Sequence, residues 1–155
     1  MDIQAVDTRT QIEEFFTRYE ARFNHYLQKE QLNVDEVAGA FANCFVESSP
    51  VGVNCGQNDA QFREMIPQGF AHYRSIGTTS MTVTRLEVTS LDDLHVMAKV
   101  HWDSRYNPPG RGEIRFEFDN LYFLTLSSGE PKIFAYITGD EEKTLKEKGL
   151  IPEQK

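Results

Sequence analysis

Beyond Leu94 apolar and polar residues alternate with a period of two. Leu94, Val96, Ala98, Val100 and Trp102 fall on one face of a strand, and His95, Met97, Lys99, His101 and Asp103 on the other. A break at Asn107–Gly112, with two prolines and two glycines, precedes a second alternating run, Glu113–Leu126. After Ser127-Ser128-Gly129 a third run, Lys132–Gly139, completes an antiparallel meander. Upstream, the Thr- and Val-rich stretch Thr78–Leu91 reads as another long strand, turned by Asp92-Asp93. The run after the first break changes phase. Ile114, Phe116 and Phe118 are even-numbered, whereas Leu121 and Phe123 are odd. A regular strand does not move its apolar face, so either both faces are covered or a bulge sits near Asp119-Asn120.

Ahead of the strands the period is helical. Ile12, Phe15, Phe16, Tyr19, Phe23, Tyr26 and Leu27 form one stripe, opened by a capping-box pattern at Thr10–Glu13. A polar break at Gln28–Gln31 follows. Asn33 then caps a second helix with Glu36 at its third position; Val34, Val37, Ala38 and Phe41 supply its buried side. Cys44–Gly56 reads as short extended pieces around a turn at Ser49-Pro50-Val51-Gly52. Asn58 caps a third helix whose inward residues are Phe62, Met65, Ile66, Phe70, Tyr73 and Ile76, and Gly77 stops it. Pro67 inside that helix predicts a kink or a split.

The length of 155 residues fits a single domain, with a packed core over about 10–139 and a charged tail, 140–155, forming a loose helix. A net charge of −8 repels phosphate backbones and argues against nucleic acid or an anionic membrane as partner. No apolar run is long enough to span a bilayer, and the first residues lack the basic start and apolar middle of a signal peptide. Cys44 and Cys55 form no metal motif and read as a buried, reduced pair in a cytoplasmic protein. No cofactor motif stands out.

The order of elements, three helices and then four long antiparallel strands, resembles the nuclear transport factor 2-like superfamily. The resemblance covers Gln11–Gly139 and rests also on Phe41-Ala42-Asn43, the turn at Ser49–Gly52, the Asn58-capped helix, and Phe118–Phe123 before a glycine turn. It implies an α+β fold, a cone-shaped barrel with three N-terminal helices packed on a curved antiparallel sheet and a pocket between them. It also implies functions ranging from catalysis by ketosteroid isomerase, scytalone dehydratase and SnoaL-like polyketide cyclases to binding without catalysis. Compared with ketosteroid isomerase, the first-helix tyrosine falls on Tyr19 and the oxyanion-hole aspartate on Asp119. The general base falls on Ser49, which is no carboxylate, so steroid isomerisation lacks its base.

The expected function is that of a small-ligand pocket protein, either a non-catalytic binding module or a SnoaL-like cyclase, isomerase or dehydratase. Tyr19 and Asp119 are the polar candidates, with Tyr26, Ser49 and Trp102 beside them at the ligand and Trp102 as an apolar wall. A structural reading of Asp119 pairs it instead with Arg85, Lys99 or Arg115. His101 and Asp103 offer two metal ligands where catalytic zinc usually has three, so no metal is expected and both belong on the outer face. His72 and Glu47 lie near the mouth with Ser49. The expected ligand is a small apolar or aromatic molecule. Ile114, Phe116, Phe118, Leu121, Phe123, Phe134 and Tyr136 are too many to face one interior, which predicts a homodimer packed sheet to sheet, with Phe116 at the seam.

Overall fold

A computed structural model describes residues 3–29 and 31–152, with side chains from Thr8 onward. One position of the polar break and the last three residues of the tail lie outside the description. The elements run α1 (Ile3–Gln28), α2 (Val34–Ala38), β1 (Phe41–Ser49), β2 (Gly52–Gln57), α3 (Ala60–Ser75), β3 (Thr78–Ser90), β4 (His95–Tyr106), β5 (Ile114–Thr125), β6 (Lys132–Ile137) and α4 (Glu141–Glu147). The strands form one curved, unclosed sheet in the order β2-β1-β6-β5-β4-β3. It is mixed rather than wholly antiparallel, because β1 joins β6 in parallel across an irregular register. The rest of the ladder is antiparallel.

α1 lays Ile12, Phe15 and Phe16 on the even-numbered face of β4, where Val96, Ala98, Val100 and Trp102 are buried. At roughly 25 cal/mol per Å² of apolar surface removed from water, this seam is the main source of stability. The helix begins well before Thr10. Nothing between Ile3 and Arg9 breaks it, and Glu13 pairs with Arg9 at 2.9 Å instead of closing a capping box. Asn33 does cap α2, its side chain accepting the Glu36 N–H at 3.2 Å. Phe41, assigned above to the second helix, opens β1 instead.

α3 is capped by Asp59, whose Oδ1 accepts the Phe62 N–H at 3.0 Å, and not by Asn58. Asn58 turns the other way. Its Nδ2 donates to the carbonyls of Ala38 (2.8 Å) and Phe41 (3.1 Å), tying the end of α2 to the start of α3. α3 runs through Pro67 without splitting, held by buried Ile66 and Phe70 on either side. Met65 is exposed rather than inward. Cys44 and Cys55 are both exposed and unpaired, on the β1–β2 hairpin, not buried.

β4 and β5 pair without a register shift from His95↔Thr125 to Tyr106↔Ile114, so no bulge interrupts Asp119-Asn120. Even-numbered residues of β5 share the face of buried β4 residues, which sets Phe116 and Phe118 inside. Phe116 stacks on Tyr106 with ring centroids 5.3 Å apart. Odd-numbered residues face outward, charged up to Asp119 and apolar from Leu121.

The tail is not loose. Asp140 Oδ1 accepts the Lys143 N–H at 3.0 Å to cap α4. At the other end Leu150 N–H bonds to Leu145 C=O (2.9 Å) and Gly149 N–H to Lys146 C=O (3.0 Å), with Gly149 at φ +73°. That pair of bonds is a Schellman motif. Leu145 is buried with Ile76 and Tyr106, so packing continues beyond Gly139.

Candidate functional site

Two cavities adjoin each other on the helix-facing side of the sheet. The larger, about 790 Å³, lies among α1, α3, the β1–β2 hairpin and β6. Its wall is aromatic, with Phe23, Phe41, Phe45, Phe62 and Phe70. The rings interlock: Phe45 and Phe62 lie 4.9 Å apart and Phe23 and Phe70 5.1 Å. Such a concave apolar surface with a few polar groups is what small-molecule sites are built from. Gly56 on β2 belongs to this geometry, because a Cβ there would sit 2.6 Å from the Phe45 ring.

Three polar groups break the wall. Tyr136 on β6 donates its hydroxyl to Glu47 Oε2 on β1 at 3.0 Å. Burial and the adjacent Glu47 carboxylate push the Tyr136 phenol far above its ordinary pKa, so it remains a neutral donor. Arg22, one turn beyond Tyr19 on α1, has only 14% of its side chain exposed; its Nε lies 3.5 Å from Glu36 Oε1 without making a hydrogen bond.

The smaller cavity, about 100 Å³, lies deeper against β4 and β5 and shares Tyr19, Phe23 and Tyr73 with the larger one. Trp102, Phe118, Asn120, Tyr122 and Glu141 form its remaining polar and aromatic wall. Asn120 Nδ2 donates to the Tyr122 hydroxyl at 3.2 Å. Tyr73 donates to Glu141 Oε1 at 2.7 Å. Burial raises the pKa of Tyr19, Tyr73 and Tyr122, all of which stay protonated at neutral pH. Burial also raises Glu141 above the usual carboxylate range, against an opposing pull from the Tyr73 hydroxyl.

The candidates from the sequence separate. Tyr19 and Trp102 come together, with ring centroids 6.1 Å apart, and Tyr19 lines both cavities. Asp119 does not join them. It lies on the outer face, where its Oδ1 meets His101 Nδ1 at 2.7 Å and its Oδ2 lies 4.0 Å from Lys99 Nζ. His101 Nε2 meets Glu87 Oε2 at 2.7 Å, so the ring is held between two carboxylates. Asp103, also on that face, is buried under Arg115 (2.9 Å) and Arg105 (3.4 Å) rather than solvated. Tyr26 is buried away from both cavities; its hydroxyl accepts the Asn33 N–H at 3.2 Å. Ser49 lines neither cavity, and its Oγ accepts the Val51 N–H at 3.3 Å. Glu47, two residues earlier, is the β1 carboxylate that reaches the larger cavity, whereas His72 is exposed on α3. Arg22, Asn120, Tyr122, Tyr136 and Glu141 escaped the sequence reading. For Arg22 a signal existed, a lone cation one turn from Tyr19 within an apolar stripe.

Helices laid on one face of a curved sheet, with an aromatic cavity between them, define the nuclear transport factor 2-like class. The chain belongs to the family described as NTF2-like protein (DUF6841), whose model matches residues 8–141. Solved structures agree on the fold. An NTF2-like protein with a cystatin-like fold from Novosphingobium aromaticivorans is 9% identical, with TM-score 0.68, over 97% of this chain and 93% of that one. Aln2 from a Streptomyces species is 14% identical, with TM-score 0.63, over 91% and 96%. A ketosteroid isomerase-like protein from Erwinia carotovora atroseptica is 13% identical, with TM-score 0.59, over 84% and 93%. Comparison with curated proteins finds no match. Among the described residues no helix is long and apolar enough to cross a membrane.

Proposed function

We propose that the protein binds a small apolar or aromatic molecule in the larger cavity. The observation that carries this reading is the 790 Å³ space walled by interlocked phenylalanines, with Arg22, Glu47 and Tyr136 as its polar groups. An aromatic wall rewards burial of a flat apolar body, and a few fixed polar groups orient it. Gly69 supplies the test. It lines the cavity from α3, and a Cβ there would meet nothing within 4 Å. Gly69→Leu therefore fills the space while improving helix propensity. Calorimetric titration with 2-naphthol should give saturable binding to the wild type and none to Gly69→Leu, whose melting temperature should not fall. Equal binding by both proteins rules the cavity out.

A second reading, catalysis of the cyclase, isomerase or dehydratase kind, draws on Glu47. Its carboxylate reaches the cavity from β1 and is oriented by the Tyr136 hydroxyl, the arrangement a general base needs. Under this reading Glu47→Gln removes turnover of a ligand that the variant still binds. Under the binding-module reading it changes affinity alone.

The working form in this proposal is a cytoplasmic homodimer. Exposed, unpaired Cys44 and Cys55 suit a reducing compartment. Leu121, Phe123, Phe134 and Ile137 make the outer face of β5 and β6 an apolar surface, which suits sheet-to-sheet packing of two copies. With a net charge of −8 the proposed partners do not include nucleic acid.

A further inference from the structure

Four buried side-chain polar atoms lack a hydrogen-bond partner among the described residues: Arg22 Nε, Thr78 Oγ1, Trp102 Nε1 and Tyr106 Oη. Of these four residues, only Arg22 and Trp102 line a cavity. Arg22 Nε has a carboxylate 3.5 Å away. Trp102 is the sharper case. The residue is 3% exposed, its indole is the wall of the small chamber, and its N–H lies beside the Tyr122 hydroxyl without meeting hydrogen-bond geometry. The Tyr122 hydroxyl already accepts from Asn120. An orphaned indole donor in a low-dielectric site costs free energy comparable to a lost hydrogen bond, so a position that keeps one calls for an explanation.

We infer that the small chamber is an acceptor subsite, in which Trp102 Nε1–H donates to the carbonyl oxygen of an aromatic ketone or similar molecule whose ring occupies the larger cavity. The two spaces adjoin at Tyr19, Phe23 and Tyr73, so one molecule can reach both. Phe118 and Tyr122 flank the oxygen with apolar surface, which strengthens a hydrogen bond made there. Tyr73 and Glu141 form the rim on the α4 side, joined by their own hydrogen bond and so not competing for the same oxygen. An indole nitrogen is a donor only. The chamber should therefore distinguish an acceptor-bearing ligand from a hydrocarbon of the same shape. This inference rests on the proposal that the larger cavity binds aromatic molecules.

Trp102 is the sole tryptophan of the chain, so its indole is a unique reporter. The experiment titrates the full chain, 15N-labelled at the indole, with acetophenone and separately with ethylbenzene. Acetophenone should move the single indole N–H resonance downfield, and ethylbenzene should leave it nearly in place. In the Trp102→Phe variant the ratio of the two affinities should fall by about fivefold to tenfold, the effect of one hydrogen bond. The wild-type spectra decide the question even where that variant folds poorly. If both compounds bind and move the resonance alike, or if the affinity ratio survives in a folded Trp102→Phe protein, the acceptor subsite is refuted while the cavity reading stands. If neither binds, both are refuted.

Discussion

Single side chains hold this sheet together at points where its backbone would otherwise be unsatisfied. β3 is an edge strand, and its free N–H and C=O groups invite pairing with another chain. Asn24 on α1 occupies that edge. Its Nδ2 donates to the Met81 carbonyl at 2.8 Å, and its Oδ1 accepts the Met81 N–H at 2.8 Å. Glu20, one turn earlier, accepts the Val83 N–H at 3.1 Å. Asn24→Ala removes two bonds to partly buried backbone and should lower unfolding free energy by about 2 kcal/mol in urea titration. Asp103 makes a different residue-scale prediction. Burial alone would raise its pKa, but the Arg115 and Arg105 guanidiniums outweigh this and hold the carboxyl below the usual range. A depressed folded value means that the unfolded chain takes up the proton first as pH falls. The stabilisation is therefore complete above the unfolded value of about 3.9 and disappears as pH drops through the folded value. Stability measured from pH 6 to pH 2 should fall less steeply for Asp103→Asn than for the wild type.

At the scale of elements, the misread boundaries share a cause. Capping residues are recognisable by type, but neighbours of the same type compete, and only the backbone geometry decides between them. Asn58 and Asp59 both suit an N-cap; Asp59 takes the role because Asn58 is engaged with α2 and β1. The phase change in β5 is legible in the sequence, but its cause is not. The strand is regular, and what changes at Leu121 is the surroundings of its outer face, where β5 gains β6 as a neighbour at Leu121↔Ile137. α4 is the element where sequence and structure differ most in consequence. Its Schellman motif and the Arg111 side chain, which donates to the carbonyls of Lys148 and Gly149, fix a helix that carries Glu141 to the rim of the small chamber. A Cβ on Gly149 would sit 2.9 Å from the Arg111 guanidinium, at a φ of +73° that disfavours side chains. Gly149→Val should loosen α4, and amide hydrogen exchange should rise from 143 to 150 while β4 and β5 stay protected.

For the whole molecule, the two faces of the sheet divide the work. The inner face carries α1 and the cavities. The outer face carries a charged lattice at one end, Glu87–His101–Asp119 and Asp103–Arg115–Glu117, and the apolar surface of Leu121, Phe123, Phe134 and Ile137 at the other. Phe116, expected at a dimer seam, is on the inner face against Tyr106, so a charge there would disrupt the core rather than an interface. Phe123 is the informative position, since it is paired with Ala135 on the outer side and close to Phe134. Light scattering should give a dimer for the wild type and a folded monomer for Phe123→Glu. A wild-type protein that stays monomeric at high micromolar concentration removes the dimer from the proposal.

The sequence by itself determined the classes of element, their order and the family resemblance, because periods of 3.6 and two are local properties of the chain. It also determined that Tyr19 and Trp102 face the same interior, since each lies on an apolar stripe of its own element. It did not determine which neighbour each strand takes. The parallel pairing of β1 with β6 brings together residues about ninety positions apart, and no local pattern encodes that contact. The cavity follows from this pairing, because Glu47 on β1 meets Tyr136 on β6 only through it. Asp119 and Asn120 were equally plausible as inward groups while a bulge remained open. Tertiary structure chose Asn120, because an unbroken register with β4 fixes side-chain direction by parity, and an odd-numbered carboxylate paired to His101 then has to face outward.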